Sequence, residues 1–174
     1  MVEPDVLVRT ILDLVTYSES RSLAGYHALV TAGPTFEPID PVRGITNSSS
    51  GKMGYAIAEA LRDAGANVVL VTGPTNLAAP MRVKTVAVRT SSEMFDAVKR
   101  NFTGVDLFFA VAAVADYTPA NPQIQKIKKS GAPVTIEFTP TVDILAWAAS
   151  QEDGPFCVGF AAESENVIEN ARIK

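Results

Sequence analysis

The chain has few of the side chains that most often carry catalysis or cross-links. Its 174 residues include one cysteine, one histidine and one tryptophan. One cysteine excludes an internal disulfide, and with it the cross-linked scaffold of small secreted domains. His27 has no cysteine or carboxylate partner in the nearby sequence, so no zinc motif forms around it. No Ser-His-Asp arrangement is readable. No apolar run approaches the length of a membrane span, and the first residues lack the basic-then-apolar pattern of a secretory signal. These absences predict a cytoplasmic protein with no membrane partner. Positive charge is also short: 15 Lys and Arg against 19 Asp and Glu leave a net charge of -4. This gives no nucleic-acid footprint, so an anionic ligand would need a local positive site.

What is present is apolar content. Hydrophobic residues make up 47% of the chain and charged residues 20%, which is enough for one globular domain with a real core. Residues 4–16 read as an amphipathic helix with Leu7, Val8, Ile11, Leu12 and Val15 in one stripe. A linker, Ser18-Glu-Ser-Arg-Ser22, follows. Residues 1–25 are therefore expected to be an appendage, and 26–174 the body.

Within the body, Ala28–Thr31, Asn67–Thr72, Thr85–Arg89, a segment inside 106–114, and Phe156–Phe160 read as buried strands. Residues 134–138 are a candidate short extra strand. Helices are expected over 51–64, with Met53, Ile57, Ala60, Leu61 and Ala64 on one face, from a Thr90-Ser-Ser-Glu93 capping box to about Phe102, over 143–149 behind Asp143, and over 165–174. A Pro-rich loop is expected from Thr35 to Ser50. Trp147 and Cys157 are assigned to the core. Strands without polar alternation, separated by helices, predict a doubly wound, mostly parallel, Rossmann-like α/β layer with an N-terminal helical appendage. Ligands in such sheets bind beyond the carboxyl ends of the strands.

Those ends carry Gly33-Pro-Thr35, Gly73-Pro-Thr75, Ala112-Ala-Val-Ala-Asp116 and Ala161-Ala-Glu163. The richest segment is Gly44-Ile-Thr-Asn-Ser-Ser-Ser-Gly-Lys-Met-Gly54, which runs into a helix and reads either as an anion site, where amides, a lysine and a helix dipole meet, or as a helix N-cap decorated with Ser and Asn. Two standard signatures fail there. Walker A needs glycine where Thr46 stands and Ser or Thr where Met53 stands, and Gly-x-Gly-x-x-Gly is missing after the first strand. Asp116 ends an apolar strand, where it can accept from a sugar or base, reach a metal or cap a turn. Lys126-Ile-Lys-Lys129 lies on a loop that can close over phosphate or form a solvated face.

Thr31-Ala-Gly-Pro-Thr35, Glu37-Pro-Ile-Asp-Pro-Val-Arg43, Asn47-Ser-Ser-Ser-Gly-Lys-Met-Gly54, Ala112-Ala-Val-Ala-Asp-Tyr117, Lys126-Ile-Lys-Lys129 and Val158-Gly-Phe-Ala-Ala-Glu163 together resemble phosphopantothenoylcysteine synthetase. The resemblance is closest to the bacterial branch, where the synthetase is the C-terminal half of a bifunctional coenzyme A biosynthesis protein. It implies a CTP-dependent ligase. The carboxylate of 4′-phosphopantothenate attacks the α-phosphate of CTP, giving an acyl-cytidylate and pyrophosphate; the amine of L-cysteine then displaces CMP. Mg²⁺ accompanies the triphosphate, and FMN belongs only to the decarboxylase half.

The resemblance also implies roles. Asn47 would handle the acyl-cytidylate, and Lys126 would serve its formation or conversion. Ala110, Val111 and Ala112 would present backbone to the pyrimidine, Asp116 would bind the nucleotide, and Val142, Asp143, Ile144, Leu145 and Phe160 would complete the pocket. Lys174 matches a further nucleotide-binding lysine. Gly33 with Ser48, Ser49, Ser50, Gly51 and Lys52 fits the phosphate loop. The resemblance implies a homodimer in which Asn47 serves a neighbouring site, and it makes residues 1–25 the connector from the decarboxylase domain. Val142 departs from the proline common there, and Ser48 sits at a variable place in its motif. The family pattern continues past Lys174, so the alternative reading is a truncated nucleotide-binding or assembly domain without full activity. A Rossmann-like oxidoreductase is disfavoured by the missing glycine fingerprint.

Overall fold

A computed structural model describes residues 22–160. The expected helices over 4–16 and 165–174, and Lys174, lie outside the described residues.

Five strands form one parallel sheet: β1 (His27–Ala32), β4 (Asn67–Thr72), β5 (Lys84–Ala87), β6 (Leu107–Ala110) and β9 (Phe156–Gly159), in the order β5-β4-β1-β6-β9. Between β1 and β4 lie an antiparallel hairpin, β2 (Phe36–Pro38) with β3 (Gly44–Thr46), and helix α1 (Lys52–Asp63). Helix α2 (Ser91–Arg100) joins β5 to β6. A second small pair, β7 (Tyr117–Pro119) with β8 (Phe138–Pro140), and helix α3 (Ile144–Ala149) join β6 to β9. The chain thus moves outward from β1 on one side, returns to β6 and moves outward on the other. That reversal puts a crevice at the carboxyl ends of β1 and β6, where doubly wound sheets bind ligands.

Strand alternation divides the core between the two faces. Ala28, Val30 and Ala32 of β1 pack with Tyr55, Ala58 and Leu61 of α1 and with Val68 and Leu70 of β4. Leu29, Val71 and Phe108 face the other way, against Met94, Ala97 and Val98 of α2 and Ile144 and Ala148 of α3. This inner sheet is apolar on both sides, which explains the unbroken hydrophobic runs. Trp147 lies edge-on to Phe95 with centroids 5.2 Å apart, in the same layer. Among the described residues no helix is long and apolar enough to cross a membrane.

Four sequence expectations change. The buried face of α1 is Gly54, Tyr55, Ala58 and Leu61, while Met53 and Ala60 are exposed. Gly54 and Ala58 let the helix approach β1 closely, while Tyr55 and Leu61 fill the space on either side. The Pro-rich loop contains the β2–β3 hairpin. The extra strand lies at Phe138–Pro140 and not at 134–138, because it pairs with Tyr117–Pro119. Cys157 is half-buried, packed at the margin of the core with its thiol directed to the Pro155 carbonyl at 3.4 Å. Burial pushes that thiol up from its ordinary pKa. The Thr90 capping box is present, and Asp143 Oδ1 caps α3 by accepting Ala146 N–H at 2.9 Å.

Candidate functional site

Three glycines, none in the spacing of the dinucleotide fingerprint, meet where β1 gives way to α1. Gly33 ends β1, and Gly51 and Gly54 open α1 after the hairpin. A Cβ on Gly51 would stand 3.3 Å from the Gly33 Cα and 2.8 Å from Thr75 Cγ2. A Cβ on Gly54 would fall 2.5 Å from the Cβ of Ala32. Gly33 (φ 71°) and Gly51 (φ 76°) also hold left-handed backbone, which glycine adopts without steric cost. The tight turn, the close backbone approach and the close helix–strand packing of a Rossmann crossover are all there. The hairpin separates their sequence positions.

Gly51, not a serine, is the N-cap of α1, and no side chain caps this helix. Ser49 Oγ lies 3.4 Å from Gly51 N and Ser50 Oγ 3.5 Å from Lys52 N, at the outer limit of hydrogen bonding. Ser48, Ser50 and Lys52 are exposed. The first amides of α1 and the Ser49 and Ser50 hydroxyls therefore lie at one turn beside Gly33.

Threonine hydroxyls hold the loops of the crevice together. Thr31 Oγ1 accepts the N–H groups of Val111 (3.2 Å) and Ala112 (3.3 Å), and Thr35 Oγ1 accepts that of Ala115 at 2.9 Å. Thr46 donates to the Thr35 carbonyl at 2.7 Å, and Thr141 to that of Ala115 at 2.6 Å. The backbone bonds Thr35 N–H to Ala113 O and Ala113 N–H to Gly33 O complete the seam. The amides of Val111 and Ala112 are engaged inward, so ligand readout at 110–112 would fall to other backbone groups.

An open cleft of about 500 Å³ lies above this seam, lined by Ile45, Asn47, Ala115, Asp116, Tyr117 and Phe138. Asn47 Nδ2 donates to the carbonyls of Ala113 and Val114, both at 3.1 Å. The structure thus brings Asn47 and Asp116 to one cleft from positions 69 residues apart (116 minus 47). Val142 is exposed at 49% and Phe160 at 46%, whereas Ile144 is core and Leu145 packs beneath Gly159. A cavity of similar volume, about 520 Å³, opens at the opposite end of the sheet among His27, Arg62, Arg82, Lys84 and Arg100. None of the described candidate site residues lines it.

The lysine loop is tied to the hairpin. Buried Asp40 accepts Val42 N–H and Arg43 N–H through Oδ1, both at 2.9 Å. Its Oδ2 accepts Arg43 Nε at 3.0 Å, Arg43 Nη2 at 2.6 Å and Ile127 N–H at 3.1 Å. Arg43 Nη2 also donates to the Ile127 carbonyl at 2.6 Å. Burial by itself would raise the Asp40 pKa. The hydrogen bonds from Val42, the Arg43 guanidinium, Ile127 and the Arg43 amide outweigh it and hold the carboxyl well below the usual range. Lys126, Lys128 and Lys129 are exposed on this loop. Neither Asp40 nor Arg43 was singled out as a site residue from the sequence; the one available signal was their place in the Asp-Pro-Val-Arg turn.

The family match covers this whole arrangement. A profile described as the DNA/pantothenate metabolism flavoprotein C-terminal domain matches residues 23–174. This chain belongs to that family. The coenzyme A biosynthesis bifunctional protein CoaBC of Vibrio cholerae is 47% identical over 170 residues, 94% of this chain and 43% of that protein. The flavoprotein C-terminal domain seen here thus spans less than half the length of the curated relatives it matches. A crystal structure of the C-terminal domain of CoaBC superposes with a TM-score of 0.78 at 46% identity, covering 89% of this chain and 74% of that one. A Cab2 mutant in complex with phosphopantothenate-cysteine shares the fold at a TM-score of 0.64 and 16% identity, covering 97% of this chain and 75% of that one.

Proposed function

We propose that this chain is a phosphopantothenate–cysteine ligase domain of coenzyme A biosynthesis. It would use CTP to activate 4′-phosphopantothenate and L-cysteine to capture the acyl group. The observation that carries the reading is the convergence of Asn47 and Asp116 on one cleft at the sheet's switch point, with the Lys126 loop fastened to the same hairpin. The kinship with CoaBC proteins supports it, as does a shared fold with a protein solved in complex with phosphopantothenate-cysteine.

The chemistry asks for two anions held together and for stabilisation of charge passing to the leaving group. A carboxylate oxygen attacks the α-phosphorus as pyrophosphate departs; the amine then attacks the activated carbonyl as CMP departs. Position and electrostatics supply most of the rate in such transfers. The Gly33–Gly51 turn and the start of α1 would cradle one phosphate. Lys126 would neutralise charge on the triphosphate or acyl phosphate. Asn47, as a neutral amide, would bind the intermediate without repelling its phosphate. Asp116 would accept from the nucleotide. Among the described residues no group of three or more His, Cys, Asp and Glu side chains converges. Mg²⁺ would ride on the triphosphate, where it would offset phosphate charge.

The homodimer, the cytoplasmic location and the role of residues 1–25 as connector from a decarboxylase domain are parts of the same proposal. The test is pyrophosphate release from each of the four nucleoside triphosphates with 4′-phosphopantothenate and Mg²⁺, followed by cysteine-dependent release of the nucleoside monophosphate. CTP is expected to be the preferred substrate. Release with none of the four would refute the ligase reading, and tight NAD(P) binding without CTP binding would replace it with the oxidoreductase one.

A further inference from the structure

The geometry points to Asp40 and Arg43 as positioning residues for Lys126, acting as a clasp that grips the peptide groups on both sides of Ile127. What the clasp is for rests on the ligase reading; that it holds the loop rests on the contacts alone. One Asp40 oxygen accepts the Ile127 N–H at 3.1 Å, and the Arg43 guanidinium donates to the Ile127 carbonyl at 2.6 Å. The two residues also bind each other, Arg43 Nη2 and Nε donating to Asp40 Oδ2 at 2.6 and 3.0 Å. The grip is on backbone, so it fixes the direction of the chain through Ile127 and hence where its two neighbours, Lys126 and Lys128, begin.

Few other bonds hold this loop. Residues 121–137 contain no regular element, and all of them but Ile127 and Ile136 are exposed. Gln123 N–H reaches the Ile39 carbonyl at 2.8 Å, again at the hairpin tip, and Ala120 N–H closes the base on Glu137 O at 2.9 Å. A lysine on a loop this long is spread over many positions unless its backbone is pinned, and ordering it at the moment of reaction would cost entropy. The hairpin that pins it also leads, through β3, to Asn47. Two proposed catalytic side chains from distant parts of the chain are thereby set by one four-residue turn, Asp40 to Arg43. The Asp40 side chain is fully buried, while that of Arg43 is half-exposed. Arg43 can therefore be changed with less damage to the fold.

The test uses the whole chain with Arg43→Gln, Arg43→Lys and Asp40→Asn. The readout that does not depend on activity is trypsin cleavage after Lys126, Lys128 and Lys129, mapped by mass spectrometry, beside the melting temperature. We expect cleavage in this loop to rise about tenfold in Arg43→Gln, with a smaller rise in Arg43→Lys and little change elsewhere apart from the site after residue 43, which Arg43→Gln removes. For catalysis, kcat for pyrophosphate release should fall about tenfold with a smaller change in KM. That loss should vanish when Arg43→Gln is added to Lys126→Gln, because the clasp acts through the lysine. Loop cleavage unchanged in both Arg43→Gln and Asp40→Asn overturns the clasp, and a loss that adds fully to that of Lys126→Gln overturns its link to Lys126. If the parent protein releases no pyrophosphate with any nucleotide, the ligase reading fails while the cleavage pattern still decides whether the clasp exists.

Discussion

Glu37 in the hairpin accepts the backbone N–H of Ser91 at 2.8 Å, across 54 residues of sequence. The acceptor is fully buried and the amide belongs to the first turn of α2. A carboxylate there satisfies an amide that has no partner inside the helix and sits at the positive end of the helix dipole. It also locks the site-bearing hairpin to the sheet's second layer. The capping box of Thr90 and Glu93 occupies the same helix end, so α2 receives both a local and a long-range cap.

Replacing Glu37 by Ala should therefore cost about 2–4 kcal/mol, combining an unpaired buried amide with a cavity. Glu37→Gln keeps an acceptor and should cost less than half as much. Urea unfolding midpoints measure both. Equal losses in the two variants would show that the Ser91 bond is not the source.

Gly54→Ala should destabilise the protein even though alanine is the better helix former. The gain in helix propensity is about 1 kcal/mol, whereas overpacking a tight contact costs about 1–3 kcal/mol. The new Cβ would lie 2.5 Å from the Ala32 Cβ and 3.1 Å from the Thr31 carbonyl oxygen, so the helix must move. Adding Ala32→Gly should recover part of the loss. A stabilised Gly54→Ala single variant would contradict the close approach of α1 to β1.

Lys126→Gln should abolish most pyrophosphate release and leave the melting temperature within about 1 °C, because an exposed loop residue contributes little to folding. Asn47→Asp should harm the second half-reaction more than the first, since a carboxylate at the cleft repels the phosphate of an acyl-cytidylate. Rapid-quench measurement of intermediate formation and consumption separates the two. Normal consumption in Asn47→Asp would remove Asn47 from the mechanism.

Asp40 makes a pH prediction of definite sign. Its folded-state pKa is lowered, so its contribution to stability is fully present above the unfolded value, about 4, and is lost as pH falls toward the folded one. The charged partner in this balance is the Arg43 guanidinium. The stability gap between the parent and Asp40→Asn should therefore be widest near pH 7 and shrink between about pH 4 and pH 2. Chemical denaturation across that range checks it; a constant gap would show that the carboxylate charge is not what matters.

Much of this arrangement was legible in the sequence because it depends on short-range rules. Asn67–Thr72 is an unbroken apolar run, and the Thr90 and Asp143 caps sit where side-chain spacing puts them. The hairpin was not legible. Its strands are three residues each, Pro38 and Gly44 lie in them, and its register comes from contacts with β7 and α2. The apolar stripe of α1 was misplaced for a related reason: packing against β1 is governed by the missing side chain at Gly54 and the small one at Ala58, which a hydrophobic pattern does not register. For the site, the motifs named the participants. Which of them share a cleft, and that Asp40 and Arg43 fasten the lysine loop, follows only from tertiary hydrogen bonds.

The near-contact of Gly33 with Gly51 means that the segment between them leaves and re-enters the body at almost one point. Such an excursion has closed ends, so its exposed positions can change without moving β1 or α1, provided Thr35, Glu37 and Asp40 keep their bonds to the neighbouring loops and to α2. Chemistry and architecture are in that sense separately adjustable here. Changing the exposed residues between these two glycines while keeping the buried anchors is a route to new specificity on the same frame.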